Sequence, residues 1–379
     1  MKGMMGKERR SALLMLALAA AVCLWASRDF LAMRERDRVF PAPGFRVEML
    51  SSYLPDLKGT GMDTEVYVQE GPEKGGTVFV LGGTHPNEPA GYLAAVLLVE
   101  NAKVRRGRLM VVPFGNASGF THNQPQEASP NRLTFQLDDG SMRTFRYGSR
   151  DVSPLVMWPV PDVYVHKPSG QSLSGNESRN LNRSYPGDPD GSPAERLGFA
   201  IMELLRREEV SVAFDLHEAS PEYPVVDAIV AHEKGMEVAA AAAMDLKLEG
   251  IEMRLEPSPK NLRGLSHREW GDGTGAVPFL IETANPSQGR LRGRTDERLV
   301  KTGLDKAYLK ASSLGRLFVP YDQGGKPLDE RVGRQLATLS ALVSAFSMFD
   351  QDRGVEIRGI PSYQDVMSRG IGHFLRSGR

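Results

Sequence analysis

Cysteine is almost missing from these 379 residues: the single one, Cys23, lies inside an apolar run near the N-terminus. No disulfide framework and no thiolate metal site can exist beyond it. Net charge is missing too, since 47 basic residues balance 47 acidic ones. A nucleic-acid partner would leave a basic footprint, and none is visible. No internal repeat and no low-complexity tract occurs. Gly-x-Ser-x-Gly is also absent, and Ser118 in Gly115-Asn-Ala-Ser-Gly119 has the wrong spacing for a nucleophile elbow, which argues against a serine hydrolase.

What is present is an ordinary globular composition, 41% apolar and 25% charged. The length allows two average domains, or one large α/β domain with an insertion. Lys2, Lys7, Arg9 and Arg10 precede a weakly polar run from Ser11 to Ser27. Residues 1–27 therefore read as a signal peptide or a short membrane anchor, with export to the periplasmic or extracellular side expected. Cleavage and retention through 11–27 both stay open. Cutting after Ala19 or Ala21 leaves a short apolar core, Val22 before Cys23 fits a lipoprotein site poorly, and Arg28, Arg34, Arg36 and Arg38 blunt the charge asymmetry.

Residues 28–44 form a charged linker, and 45–379 carry the remaining pattern. Short β-like runs at Phe45–Leu50 and Glu65–Gln69 precede a strand Thr77–Leu81, a helix at 89–102 and a strand Arg108–Pro113, together a βαβ unit. Pro193–Glu208 is helical by period and leads into the strand Val210–Leu216. An alternating run at Tyr223–Ala231, an Ala-rich helix at 234–246 and an apolar strand Ala276–Ile281 follow. Residues 291–379 turn helical, most clearly at Arg331–Phe349. This order predicts an α/β fold: a mixed, mostly parallel central sheet with helices on both faces. Residues 120–180, full of Pro, Gly, Ser, Arg and Asn, fit no period and read as a long loop-rich insertion over the edge where the strands end.

Two of those strand ends carry chemistry. Thr77–Leu81 runs into Gly82-Gly-Thr-His-Pro-Asn-Glu-Pro-Ala-Gly91, a glycine turn that aims His85 and Glu88 at one point. His-x-x-Glu alone is a common pair. The strand Val210–Leu216, however, also ends in a histidine, His217, and α/β sheets build sites at that edge. His85, Glu88 and His217 then form a zinc ligand set for one ion with a position left open, the catalytic rather than the structural pattern.

Four motifs in order, Gly82–Gly91, Asn180-Leu-Asn-Arg-Ser-Tyr-Pro-Gly187, Phe214-Asp-Leu-His217 and Ile281-Glu-Thr283, resemble the zinc carboxypeptidase superfamily, nearest its succinylglutamate desuccinylase and aspartoacylase branch. The resemblance covers roughly residues 75–290. It implies a metallohydrolase in which Glu282, at the end of an apolar strand, is the general base, against the alternative of an edge carboxylate paired with a surface arginine. It also implies that Asn182 and Arg183 grip a substrate carboxylate, although Asn182–Gly187 would form a good turn in any case. Tyr185 and Asn180 would line the same wall. An arginine beside the developing oxyanion is a further implication. Arg146 matches best in context, with Arg150 and Arg179 as competitors.

Two departures stand out. Asn116-Ala-Ser-Gly-Phe120 lacks the family's proline, and the helical tail stands where that branch carries a β-rich domain. The expected function is an exported zinc hydrolase cutting an amide bond next to a free carboxylate, in an N-acyl amino acid or a short peptide. The alternative is a non-catalytic exported binding protein on a hydrolase scaffold. The expected partner is a small molecule or short peptide with a free carboxylate, with no nucleic acid, and with membrane contact only through the N-terminal segment.

Overall fold

Consecutive residues of Val78-Phe-Val-Leu81 enter two different hydrophobic cores, and the layered architecture follows from that alternation. The computed structural model describes residues 2–123 and 129–378. Met1, residues 124–128 of the expected insertion, and Arg379 lie outside the described residues.

The chain divides into two units, Met1–Arg38 and Val39–Arg379. The first is a single helix, α1 (Lys2–Ala32), long and apolar enough over Gly6–Ala32 to cross a membrane. It continues past Ser27, so the first residues of the expected 28–44 linker are helical.

The second unit runs β1 (Arg46–Met49), β2 (Glu65–Glu70), β3 (Glu73–Leu81), α2 (Pro89–Asn101), β4 (Lys103–Val112), β5 (Arg132–Gln136), β6 (Met142–Arg146), β7 (Val163–His166) and β8 (Gln171–Ser174). It continues with α3 (Pro193–Arg207), β9 (Val212–Ala219), β10 (Ala228–Ala231), α4 (Met236–Leu248), β11 (Arg254–Pro257), α5 (Ser266–Gly273) and β12 (Val277–Ala284). The last part holds α6 (Glu297–Thr302), α7 (Lys306–Ser313), α8 (Leu328–Phe349), β13 (Glu356–Arg358), α9 (Tyr363–Arg369) and α10 (Ile371–Phe374).

The main sheet has the order β1-β2-β4-β3-β9-β12-β10-β11, with β13 added to β4. Its four central strands, β4, β3, β9 and β12, run parallel, while β2 and β10 pair antiparallel on their flanks. Val78, Val80, Phe214 and Ile281 face one core, closed by Leu93 and Leu97 of α2, Ala239 and Ala242 of α4, and Leu336 and Leu339 of α8. Phe79, Leu81 and Ala213 face the other, closed by Leu197 and Ile201 of α3 and Trp270 of α5. The fold is thus the expected α/β sheet covered on both faces. Helix α3 begins with a capping box between Ser192 and Glu195, with Pro193 in its first turn.

The insertion carries more order than its composition suggests. It holds two hairpins, β5–β6 and β7–β8. Leu133, Phe135 and Phe145 of the first join the α2/α8 core, so that hairpin is anchored rather than draped. The C-terminal part is helical apart from β13.

Candidate metal centre

β3 leaves the sheet through Gly83, whose φ of +66° lies in the left-handed region. A Cβ there would sit 2.9 Å from the Pro113 carbonyl oxygen. The chain then turns on a bond from the Glu88 N–H to the His85 carbonyl (3.0 Å), and α2 starts at Pro89. Gly91 lies against β9, where any side chain would collide with the Leu216 carbonyl. Glycine there lets the helix that follows Glu88 approach the strand that carries His217.

His85, Glu88 and His217 converge: one ligand atom from each lies within 4.8 Å of the others, and all three side chains are buried. The Nδ1 atoms of His85 and His217 stand 2.8 Å and 3.0 Å from the two Glu88 oxygens. The far nitrogens also face side-chain oxygens, His85 Nε2 in a hydrogen bond and His217 Nε2 in a close ion-pair contact. His85 Nε2 is 3.0 Å from Asn180 Oδ1, and His217 Nε2 is 2.9 Å from Asp215 Oδ2. With the proton on Nε2, both rings turn an Nδ1 lone pair toward the same point, the arrangement by which a carboxylate or amide oxygen orients a histidine ligand. Asp215 is itself fixed by the hydroxyls of Thr84 (2.7 Å) and Ser266 (2.5 Å).

Electrostatics follow from burial. Burial would raise the Glu88 carboxyl, but the two imidazoles outweigh it and hold it well below the usual carboxylate range. Burial pulls His85 down to about 4, helped by the Arg150 guanidinium. His217 goes the other way: Asp215 and Glu88 outweigh its burial and raise it well above the ordinary histidine value. Two imidazole nitrogens and one carboxylate, buried and oriented from behind, are a donor set suited to a zinc-type cation.

Glu282 on β12 stands in register beside His217 on β9. Its Oε2 is buried with no hydrogen-bond partner among the described residues. Burial, opposed by His217 and reinforced by Glu88, pushes its carboxyl up to about 8. A cavity of about 770 Å³ opens over the cluster, and His85, Glu88, His217, Glu282, Asn182 and Arg183 all reach its wall. Arg183 is largely buried, and burial lowers its guanidinium from its ordinary value. The Asn182 side-chain oxygen accepts the Ser266 N–H at 2.8 Å.

Two expected residues stand elsewhere. Tyr185 is fully buried, edge-on to Trp270 at 5.6 Å, with its carbonyl accepting from His166 Nε2, and it does not line the cavity. Arg146 ends β6 with its guanidinium over the Phe120 ring at 5.5 Å, also away from the cavity wall. The arginine that the structure brings to the cluster is Arg150, four residues on. Its Nη1 lies 3.3 Å from His85 Nδ1 and 3.5 Å from Glu88 Oε1. Strand β6 stops at Arg146, and the following segment carries Arg150 to the strand ends. Arg179 instead meets Asp151 at 3.4 Å.

Sequence reasoning missed the support behind the cluster. Asp215 could have been read, because residues two apart on a strand share a face. Helix α8 gave no such signal. Its fully buried Arg331 donates to Glu218 Oε1 at 2.6 Å and to the Val300 carbonyl, and Gln335 donates to the His217 carbonyl at 2.6 Å. The other Glu218 oxygen accepts the Ala90 N–H at 2.9 Å and Asn285 Nδ2 at 3.1 Å. The C-terminal helix thereby braces the strand end that bears His217.

No family model matches this chain, and no curated protein matches it. Among solved structures it is similar to a succinylglutamate desuccinylase from Silicibacter sp. TM1040, with 20% identity over 60% of this chain and 55% of that one and a TM-score of 0.37. It is similar also to a metallo-carboxypeptidase from Burkholderia cenocepacia (13% identity, 86% and 69% covered, TM-score 0.46). A third is the tripeptide-bound cell shape determinant Csd4 protein from Helicobacter pylori (11% identity, 81% and 60% covered, TM-score 0.45). The chain spans little more than half the length of the first of these.

Proposed function

We propose that this chain is an exported zinc-dependent hydrolase that cuts an amide bond next to a free carboxylate, in an N-acyl amino acid or a short peptide. The observation that carries the reading is the convergence of His85, Glu88 and His217 within 4.8 Å, with Glu282, whose buried Oε2 has no hydrogen-bond partner among the described residues, on the neighbouring strand. His85 and His217 through Nδ1, and Glu88 through its carboxylate, would hold one ion. Such an ion supplies Lewis acidity toward a carbonyl oxygen and acidifies a water.

The chain's own groups perform the remaining steps. A neighbouring cation favours the ionised form of Glu282, so its Oε2 is free to accept a proton from the attacking water. The amide carbon gains the water oxygen, the carbon–nitrogen bond breaks, and the proton held on Oε2 passes to the departing amine. Arg183, with Asn182 beside it, grips the substrate carboxylate in the same cavity. Arg150, rather than Arg146, is the candidate donor to the charge that develops on the carbonyl oxygen. The basic start and apolar helix α1 support export with a retained or cleaved leader, and they are the only membrane-directed feature proposed.

The test is metal analysis joined to a substrate screen. Purified protein should contain about one zinc per chain by elemental analysis. It should hydrolyse N-acyl amino acids or short peptides, lose that activity to chelator and regain it with zinc. Stoichiometric zinc without turnover on any such substrate would favour a binding protein on this scaffold. Failure to bind zinc would end the proposal.

A further inference from the structure

The cavity extends past the ion cluster across the face of three more strands, and that extension is the part no step above uses. Sheet register sets its floor. His217 and Glu282 are neighbours on β9 and β12, and Leu280, two residues before Glu282, pairs with Val230 on β10. Val230 in turn pairs with Glu256 on β11. Side chains two apart on a strand, and those directly opposite across strands, share a face. Leu280, Val230 and Glu256 therefore make one row beside the reacting groups, and all three reach the cavity wall. Leu280 and Val230 are buried yet belong to neither of the two large cores, because they face the cavity. Leu262 and Leu265 add apolar wall.

Four carboxylates line this cavity: Glu88, Glu218, Glu256 and Glu282. Glu88 lies in the ion cluster, Glu282 is the proposed base, and Glu218 is locked to Arg331. Glu256 alone is left for a ligand. One of its oxygens, Oε1, lies 3.2 Å from the half-exposed Arg254, which also donates to the Pro224 carbonyl. Such a solvent-facing pair contributes little and yields to a competing cation. Of the arginines that line the cavity, Arg150 sits at the ion cluster. Arg254, on the same face of β11 as Glu256, is half-exposed and held to the Pro224 carbonyl. Charge is thus sorted: cations where a carboxylate and a developing oxyanion would sit, an apolar floor, then an acid two strands and ~10 Å from Leu280.

We infer that this extension binds an aliphatic side chain ending in a cation, so that the substrate residue bearing the free carboxylate is of the lysine, ornithine or arginine type. The inference rests on the amide-hydrolase reading for which group enters the cavity. A stem of about three or four methylenes lies along Val230 and Leu280 and delivers its ammonium or guanidinium to Glu256. An acidic side chain would meet Glu256 as a like charge. An uncharged aliphatic one would fill the floor and leave the carboxylate without its partner.

Two measurements on the zinc-loaded full chain test this. Hydrolysis of N-acetyl-lysine is compared with N-acetyl-norleucine and N-acetyl-glutamate, each acetylated on the α-amine. Binding of free L-lysine is compared with free L-norleucine by calorimetry, which needs no turnover. The expected result is at least a tenfold preference for lysine over norleucine in kcat/KM and in affinity, and a larger one over glutamate. Glu256→Gln should bring lysine and norleucine within about twofold with zinc content unchanged, and Glu256→Lys should reverse the order of lysine and glutamate. Equal handling of lysine and norleucine by the natural chain, or an unchanged preference in Glu256→Gln, overturns the inference while leaving the hydrolase reading intact. No hydrolysis of any N-acyl compound or peptide, with the lysine preference in binding retained, overturns the hydrolase reading and supports the pocket assignment.

Discussion

Replacing Arg331 by methionine should be among the most damaging single changes in this protein, although the residue never touches the cavity. The guanidinium is fully buried in α8 and sits 2.6 Å from Glu218 Oε1. Methionine keeps much of the stem volume but leaves Glu218 charged, buried and missing one partner. Breaking a buried pair by removing one member costs about 3–5 kcal/mol, against near zero when both are replaced by neutral groups of similar size. The Ala90 and Asn285 donors still reach the other oxygen, which places the expected loss toward the lower figure. Urea unfolding of the detergent-solubilised chain, followed by circular dichroism, gives the number directly. The double variant Glu218→Gln with Arg331→Met should recover more than half of it, since the uncompensated charge is gone. Zinc affinity provides a second readout, because Glu218 is the residue after His217, and Arg331→Met should weaken zinc binding beyond what global stability explains. A loss below about 1 kcal/mol, or strictly additive single and double variants, would refute the bracing argument.

Four further outcomes are expected. Glu282→Gln should retain zinc yet lower kcat by about 10²–10⁴, the usual worth of a positioned general base, and loss of zinc instead would make the residue a ligand. His217→Ala should abolish stoichiometric zinc in elemental analysis, and full retention would remove β9 from the site. Arg183→Ala should raise KM for substrates with a free carboxylate much more than for their amides, while equal effects on both would remove it from the clamp. Burial lowers His267 to about 3, so the unfolded chain, near 6.5, takes up that proton first as pH falls. Its contribution is present above pH 6.5 and is lost between 6.5 and about 3, on the order of 5 kcal/mol. His267→Gln should flatten the acid side of the stability profile, and an unchanged acid slope would show that the imidazole is not held neutral.

The sequence showed the fold where burial is periodic and hid it where contacts are distant. The run Thr77–Leu81 and the 3.6-residue pattern of 331–349 marked buried elements, because one strand feeding two cores and one helix face feeding another leave period signals in the residues themselves. The hairpins inside 120–180 were illegible, since strands of four or five residues carry at most three buried side chains each. Most of the cluster was readable, because His217 and Glu282 stand near the ends of apolar strands and His85 and Glu88 in the turn that follows another, where such residues have little packing purpose. Arg146 and Arg150 could not be told apart by spacing. The choice depends on where β6 stops, and strand ends are the least periodic feature of a chain.

The strongest structural reason to regard the cluster as functional lies behind it. A chance gathering of His85, Glu88 and His217 would need no orientation of the outer imidazole nitrogens. Yet Asn180 meets one and Asp215 the other, and Thr84 and Ser266 fix Asp215 in turn. Burying Asp215 and Glu88 completely is costly unless each carboxylate is compensated. Protein hydrogen bonds satisfy Asp215, whereas Glu88 finds only two imidazoles, one backbone N–H and a distant Arg150. The protein has thus gathered two imidazoles, each backed by an oxygen, around one buried carboxylate. Among the described residues that is the one grouping of three such side chains placed to share a metal ion.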